Sequence, residues 1–483
     1  MSSEMTRHRW KMAAQISLGV LVFALPWQAR WMIVTGQLQG EAWEFGTMSL
    51  YATDLLWFLA LVAWIGYERT QPRGMFWFPV FRRAMRALGM LAGLALLLSP
   101  WALHGDLALV RWVTWVEGIG LFAMVVSGPL NLVRISILVV MSALLQAAVG
   151  LLQFWHQATW ASKWLGMAAH PVGVAGTAVV ESAGERWLRI YAMMDHPNIA
   201  AAWFGLGLLL ACGLMLEEGF RSRRGHGMRL WFLWGSVITI AWAWLLTFSR
   251  SSLLAFGIAF AGMLFWLLAK QRSQRVRLAL LTATLRTTVQ VFEAWMVQRL
   301  LRVGWVLVVI FGILFFLIPQ PFFTRMQADA RLERRSWVDR QMQWKEGWAI
   351  LTKRPVDGVG LGNAGQAVVN YVDSDRRAWE VQPVHNVFFL VWIEFGIFGF
   401  VGWLLLWGEW ITTSITSLRR PLVGSSRAGI LAGMVRGVWS MTGLGILLFV
   451  FLTSQTDHFW WSLHSGVFMF FLAMGVVARS NLR

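Results

Sequence analysis

The sequence predicts an all-α polytopic membrane protein of about 12 transmembrane helices, with a helical extracytoplasmic cap between the ninth and the tenth. Three observations predict it. Hydrophobic residues make up 57% of the 483 positions and charged residues only 14%, a balance that a soluble core does not call for. Apolar runs of about the length a bilayer needs recur along the chain. The loops between them are alternately rich and poor in Lys and Arg, the pattern that sets orientation in a membrane.

Taken in order, the runs lie near residues 12–28, 49–67, 87–101, 108–127, 134–154, 197–216, 230–248, 251–269, 303–318, 386–407, 437–454 and 462–478. They divide the chain into residues 1–190 (helices one to five and a long outer loop), 191–318 (helices six to nine), a polar loop at 319–385, and 386–483 (helices ten to twelve). No small-residue cleavage site follows the first run, so it reads as an uncleaved helix and not as a removed signal peptide. The third and ninth runs are short.

Charge supplies the orientation. Arg7, Arg9 and Lys11, then Arg69, Arg73, Arg82, Arg83 and Arg86, then Arg221, Arg223, Arg224 and Arg229, the run from Lys270 through Arg302, and Arg419, Arg420, Arg427 and Arg436 occupy alternate loops. With Arg134, Arg479 and Arg483 they place these loops and both termini in the cytoplasm. Most of the net charge of +18 is therefore topological, and nucleic acid is not an expected partner despite the basic composition. Thirty-three tryptophans against four tyrosines read mainly as interfacial belt residues, with a few available to stack on sugar rings. Cys212 alone, inside an apolar run, excludes a disulfide framework and a cysteine metal site.

Two long segments, 155–196 and 319–385, fall on the opposite side and are too polar to span. In the second, Arg325, Arg331, Arg334, Arg335, Arg340, Lys345, Lys353, Arg354, Arg376 and Arg377 mix with Asp329, Glu333, Asp339 and Glu346, and Met326–Leu351 has few helix breakers. Most of these charges suit a solvated helical face with i,i+4 pairs such as Arg335 with Asp339, together with anionic lipid head groups. A few suit phosphate, whose oxygens match the guanidinium fork. Arg250, in Thr247-Phe248-Ser249-Arg250-Ser251-Ser252, lies between two apolar runs with almost no loop. An arginine near membrane depth either snorkels to the head groups or has a partner or a job. Asp54, Arg111 and Glu117 also fall in outer helix halves and suit pairing with one another.

Pro355 ends the helix before Gly358-Val359-Gly360-Leu361-Gly362-Asn363, whose alternate glycines permit a turn that packs close to backbone or ligand. The turn lacks the preceding strand and the Lys-Ser/Thr ending of a P-loop, so nucleotide binding is not expected. The polar segment closes at Gln382-Pro383-Val384-His385-Asn386, which puts His385 where water meets lipid, directly before the tenth run. His385, Phe389, Trp392, Gly396, Gly399 and Trp403 follow helical spacing on one inward face. His196 in Asp195-His196-Pro197-Asn198 suits capping of the sixth helix better than catalysis. His458 and His464 are not at the i,i+4 spacing of a zinc site, and no metal or cofactor is expected.

Together these pieces resemble the O-antigen ligase and polymerase superfamily. Arg340-Gln-Met-Gln-Trp344, then Pro355 and Gly358 to Gly362, then His385-Asn386 and Glu394-Phe-Gly396-Ile-Phe-Gly399 look like its core signature. Asp195 to Asn198 and Thr247 to Arg250 are similar to its upstream motifs. The likeness spans roughly residues 190–405. It implies a glycosyltransferase C-like membrane architecture and a metal-independent enzyme that moves a saccharide from undecaprenyl diphosphate to a glycan, lipid or protein acceptor on the extracytoplasmic face of a bacterial inner membrane. The family's diphosphate-binding arginines map onto Arg250 and Arg340, and its essential histidine onto His385. Arg334, Arg335, Arg354, Trp344, Asn386 and Asn198 are candidate substrate-binding residues around them. Glycosyl transfer from a lipid diphosphate puts negative charge on phosphate while the acceptor hydroxyl loses a proton. Fixed arginines suit the first event, and an imidazole suits the second. For His385 two roles stay open, general base or cationic donor to the diphosphate. A repeat-unit polymerase uses the same chemistry. A flippase or secondary transporter would instead show inverted repeats and charges along a central path, which the sequence lacks.

Overall fold

The computed structural model describes residues 2–71, 79–182, 184–221, 227–278, 283–327, 331–419 and 427–482. Arg73, Arg223, Arg224, Asp329, Arg420 and Arg483 lie outside the described residues. A long helix coincides with each of the twelve apolar runs: α1 (Ser2–Ala24), α2 (Ala52–Arg69), α3 (Pro79–Leu98), α4 (Gly105–Ser127), α5 (Leu132–His156), α6 (Pro197–Arg221), α7 (Gly227–Leu245), α8 (Arg250–Leu278), α9 (Ala283–Leu317), then α13 (Val387–Leu418), α14 (Arg427–Ser454) and α16 (His464–Leu482). Ten of them, α3 to α9, α13, α14 and α16, are long and apolar enough to cross a membrane. The other two fall short of that measure because charge trims their apolar stretch: Glu4, Arg7, Arg9 and Lys11 in α1, and Asp54, Glu68 and Arg69 in α2. Many helices outrun their apolar runs, since basic flanks made of good helix formers continue the backbone ladder past the hydrophobic part.

The polar segment after α9 is helical too, with α10 (Pro319–Met326), α11 (Arg331–Lys353) and α12 (Ala364–Tyr371), and a short α15 (Phe459–Ser462) precedes α16. The chain is not wholly α. Three two-stranded antiparallel sheets pair β1 (Arg30–Val34) with β4 (Met48–Tyr51), β2 (Gln37–Leu38) with β3 (Glu41–Ala42), and β5 (Val179–Ser182) with β6 (Glu185–Leu188). They lie in the connections before α2 and before α6, where backbone groups outside a helix must find partners locally.

Helix α6 is the centre. Its stretch Pro197–Glu218 is buried except at the partly buried Asn198, enclosed by α5, α7 and α14 among others. Many tryptophans serve this interior and not a belt: Trp115, Trp203, Trp403, Trp439, Trp460 and Trp461 are all buried. Trp115 meets Trp461 edge to face at 4.4 Å and Trp403 at 5.9 Å. Between membrane helices such van der Waals fit carries the packing, because lipid is as apolar as leucine.

The connections at one end of the bundle are bound to each other. Trp43 donates its indole N–H to the Val381 carbonyl at 3.0 Å, His104 N–H is held by Asn363 at 2.9 Å, Thr324 meets Ser182 at 2.7 Å, and Arg331 makes a forked pair with Glu181. The glycine turn contributes most. Gly358, Gly360 and Gly362 all have positive φ (70°, 93° and 77°), and Val359 and Gly360 donate to the carbonyls of Ile393 and Glu394, both at 3.0 Å. Those carbonyls are free because α13 breaks at Gly396 (φ 63°, ψ −167°), where Ile397 donates to Pro355 instead. A Cβ at Gly396 would sit 1.9 Å from the Val356 oxygen, so only glycine fits both the angle and the contact. The sequence expected one continuous helical face from His385 to Trp403. The break at Gly396 divides it, although Phe389, Gly396, Gly399 and Trp403 are buried.

Candidate functional site

Asn386 caps α13, its side-chain oxygen accepting the Phe389 N–H at 2.9 Å, which satisfies one of the orphan donors at a helix start. Its Nδ2 donates to the backbone and side-chain oxygens of Gln455, each at 3.2 Å. His385 is thus the last residue before a fixed helix start. Helix α11 crosses close to α13 at Gly347, where a Cβ would lie 2.5 Å from the Phe389 ring. That approach stacks Trp344 on Phe389 at 4.5 Å and brings the Gln343 Oε1 to 2.8 Å from His385 Nδ1. With the Gln343 amide placed oxygen-first toward the ring, the contact assigns the proton to Nδ1 and leaves Nε2 the lone pair. Burial, and then the nearby Arg340 cation, lower the His385 pKa below its ordinary value against the pull of Asp457 and Asp339.

His385 and Arg340 share a cavity of about 600 Å³, walled also by Trp337, Trp344, Lys345 and Gln455. Arg340 is half-buried and makes no hydrogen bond or ion pair with other described residues. Arg250 is differently placed. It opens α8 after a tight turn with Phe248 at φ 51°, pairs with Glu333 at 2.5 Å and donates to the Arg325 carbonyl at 3.2 Å. Arg325 shares that Glu333 carboxylate, donates to Phe248 O at 3.1 and 2.8 Å, and lies within electrostatic reach of both Arg250 and Arg340.

On the other side of His385 is a buried polar cluster. Asp457 accepts from Asn198 Nδ2 at 2.7 Å and from the His458 backbone N–H at 2.8 Å, and Asn198 also accepts from Arg189 at 2.7 Å. Burial alone would raise the Asp457 carboxyl; the surrounding imidazoles of His385, His458 and His196 and the Asn198 amide reverse this and hold it low. Burial pushes His458 down to about 3. His196 Nδ1 accepts the Asn198 N–H at 3.1 Å, which is the capping role expected from the sequence. The His458 and His385 rings meet edge to face at 4.9 Å, and His458 Nδ1 bonds Ser462 at 2.5 Å. One donor atom each from His385, Asp457 and His458 lies within 4.8 Å of the others, a cluster that could hold a cation. The same is true of Asp54, Glu117 and His464.

The sequence-derived residues therefore separate. His385, Arg340 and Trp344 share one cavity, and Arg250 lies across Arg325 from Arg340. Asn386 caps α13 and Asn198 bridges Arg189 to Asp457, so both build the site from behind. Arg354 is tied to Asp357 at 2.5 Å and to the Trp101 carbonyl at 3.1 Å, and does not line the cavity of His385. Arg334 does not line it, and Arg335 instead faces Asp339 at 3.9 Å on the exposed side of α11. Asp54 pairs with His464 at 2.5 Å, and Arg111 donates to the Phe45 carbonyl at 2.9 Å, so the three outer-half charges do not simply pair among themselves. Gln343, Asp457, His458 and Arg325 were not singled out as site residues in the sequence. Thr456-Asp457-His458 between two apolar runs was the available signal, being polar groups in a connection too short to be a mere linker.

No curated protein matches the chain. Residues 235–404 match the family model described as O-antigen ligase, a stretch that includes Arg250, Arg340 and His385. The chain thus has, among its described residues, ten helices long and apolar enough to cross a membrane, as a multi-pass membrane protein has, and over residues 235–404 it is similar to the O-antigen ligase family.

Proposed function

We propose that the protein is a metal-independent, O-antigen ligase-like glycosyltransferase that moves a saccharide from undecaprenyl diphosphate to an acceptor at the extracytoplasmic face of a bacterial inner membrane. In this reading twelve helices cross the bilayer, both termini are cytoplasmic, and α10 to α12 form the cap over the site in a glycosyltransferase C-like arrangement. The observation that carries it is the cavity that Arg340, unpaired among the described residues, shares with the imidazole of His385 beside an aromatic wall. The cation would take the diphosphate, and Trp344 and Trp337 the lipid or sugar next to it.

The chemistry balances with the chain's own groups. The acceptor oxygen bonds to the anomeric carbon while the bond from that carbon to the diphosphate oxygen breaks, and its electron pair stays on phosphate. The acceptor's proton goes to His385 Nε2. Of the two roles open to His385, base is favoured: Nδ1 faces the Gln343 oxygen, and burial with Arg340 lowers the ring's pKa and so favours its neutral form. Arg340 stabilises the departing diphosphate, and Arg250 would join it by releasing Glu333. Purified protein, a labelled undecaprenyl-diphosphate glycan and an acceptor test the reading. His385→Ala and Arg340→Ala transfer more slowly than wild type, His385→Ala the more slowly of the two; transfer by both variants at the wild-type rate would refute it.

A further inference from the structure

Among the described residues, His385 is the one common to the Arg340 cavity and a second, polar cavity of about 160 Å³ lined by Glu44, Asp195, His196, Asp457 and His458. Glu44 and Asp195 also line a third cavity of about 210 Å³, bordered by Arg30, His170 and Tyr191. We propose that the second and third cavities form the subsite for the sugar of a saccharide acceptor, which rests on the transferase reading above.

Charge separates the two sides of His385. A lipid diphosphate is suited to the Arg340 side and repelled from a cavity walled by Glu44 and Asp195. Among the described residues, neither of these two carboxylates receives a hydrogen bond or an ion pair from the protein. Ionised carboxylates only accept, so what they lack is donors, and adjacent hydroxyls on a pyranose ring supply several from one small molecule. The remaining wall fits the same ligand. Arg30 provides donors for a ring or acetamido oxygen, and the stacked His170 and Tyr191 rings, 4.3 Å apart, and Phe45 provide apolar surface for the ring's C–H groups. Burial, with Glu44 beside it, pushes the Asp195 carboxyl up to about 6 while Arg30 works against this; the pair would shed that mutual repulsion on meeting donors. Position completes the argument: a base must reach the acceptor hydroxyl while the donor's anomeric carbon lies close by, and among the described residues only His385 lines both cavities.

Glu44→Gln, Asp195→Asn and the double variant keep shape and remove the acceptor-only character. Each single change raises KM for a saccharide acceptor by about tenfold, the loss of a hydrogen bond to a charged group, while donor binding stays at the wild-type level. Saturation-transfer NMR with methyl hexopyranosides and their 2-acetamido analogues, on solubilised full-length protein, shows binding to wild type and Arg340→Ala and none to the double variant. No saccharide signal from wild type, an unchanged acceptor KM, or loss of donor binding together with acceptor binding would each overturn the subsite. If Arg340→Ala and His385→Ala transfer normally, it is the transferase reading that has failed instead, and the NMR result still judges the subsite.

Discussion

The two sides of His385 differ in how their polar groups are satisfied. On the side of Arg340 a guanidinium has no hydrogen-bond or ion-pair partner among the described residues, and the walls include half-exposed tryptophans and a lysine on α11. On the side of Asp457, that carboxylate is bonded to the Asn198 amide and the His458 backbone, and His196 and His458 bond the start of α6 and Ser462, while Glu44 and Asp195 of the same cavity receive no bond from the described residues. A group left unpaired in a cavity is poised for a ligand, whereas a group fully bonded underground positions its neighbours. Function and stability should therefore divide by bonding state. Perturbing Arg340, or Glu44 and Asp195, should cost activity with little stability, and perturbing the bonded Asp457 should cost stability first.

The largest effect falls on the dividing residue. His385→Ala removes the base and lowers kcat by about 10²- to 10⁴-fold, with donor affinity nearly intact, as single-turnover kinetics with labelled donor would show. Next come the arginines, and they should not be equal. Arg340 has nothing to give up, so Arg340→Ala loses about tenfold to a hundredfold in kcat/KM, the value of a hydrogen bond to a charged group. Arg250 must leave Glu333 to reach a phosphate, so Arg250→Ala costs less than Arg340→Ala. Equal losses would mean that the Glu333 pair is already open when donor binds.

Asp457→Ala belongs to the other side. It strands the Asn198 amide at the head of α6, a loss of about 1–3 kcal/mol of stability, seen as a lower thermal midpoint in detergent. Protonation gives the same side a pH signature. The folded protein holds His385, His196 and His458 below their ordinary pKa by burial, so the unfolded chain takes up more protons as pH falls below about 6.5, and stability declines from there downward. Asp457, held low, adds to that loss at more acidic pH. Activity follows the same direction, rising with pH through the lowered pKa of His385. Gln343→Glu would place a carboxylate on Nδ1, raise that pKa and move the rising limb of the pH–rate profile upward. A limb that stays put would separate Gln343 from His385 function.

How much of this was legible follows from the kind of residue. The bundle was readable because bilayer thickness imposes run length, and His385 and Arg340 were readable because they interrupt an apolar–polar pattern at a definite place. Gly358 to Gly362 announced a close backbone approach, but its partner, the broken turn at Gly396, looks in sequence like ordinary small-residue packing within a helix. Glu44, Asp195 and Asp457 are distant in the chain and meet only because three connections fold onto one end of α6. No local spacing encodes such a meeting, and the same holds for the short strands, which depend on how the connections before α2 and α6 are anchored.

The smallest effect tests where the site stops. Charge density along α11 made Arg334 and Arg335 as good candidates for phosphate as Arg340, yet one turn of helix separates their environments. Arg335 is 60% exposed and faces Asp339, itself 51% exposed, at 3.9 Å; a pair in that setting contributes about 0–1 kcal/mol and is screened by salt. Arg335→Ala should therefore leave transfer within about twofold of wild type and stability within about 0.5 kcal/mol. A loss comparable to that of Arg340→Ala would mean that the donor's diphosphate reaches along the outer face of α11, which would extend the cationic side of His385 beyond its cavity and make exposure a poor guide to its boundary.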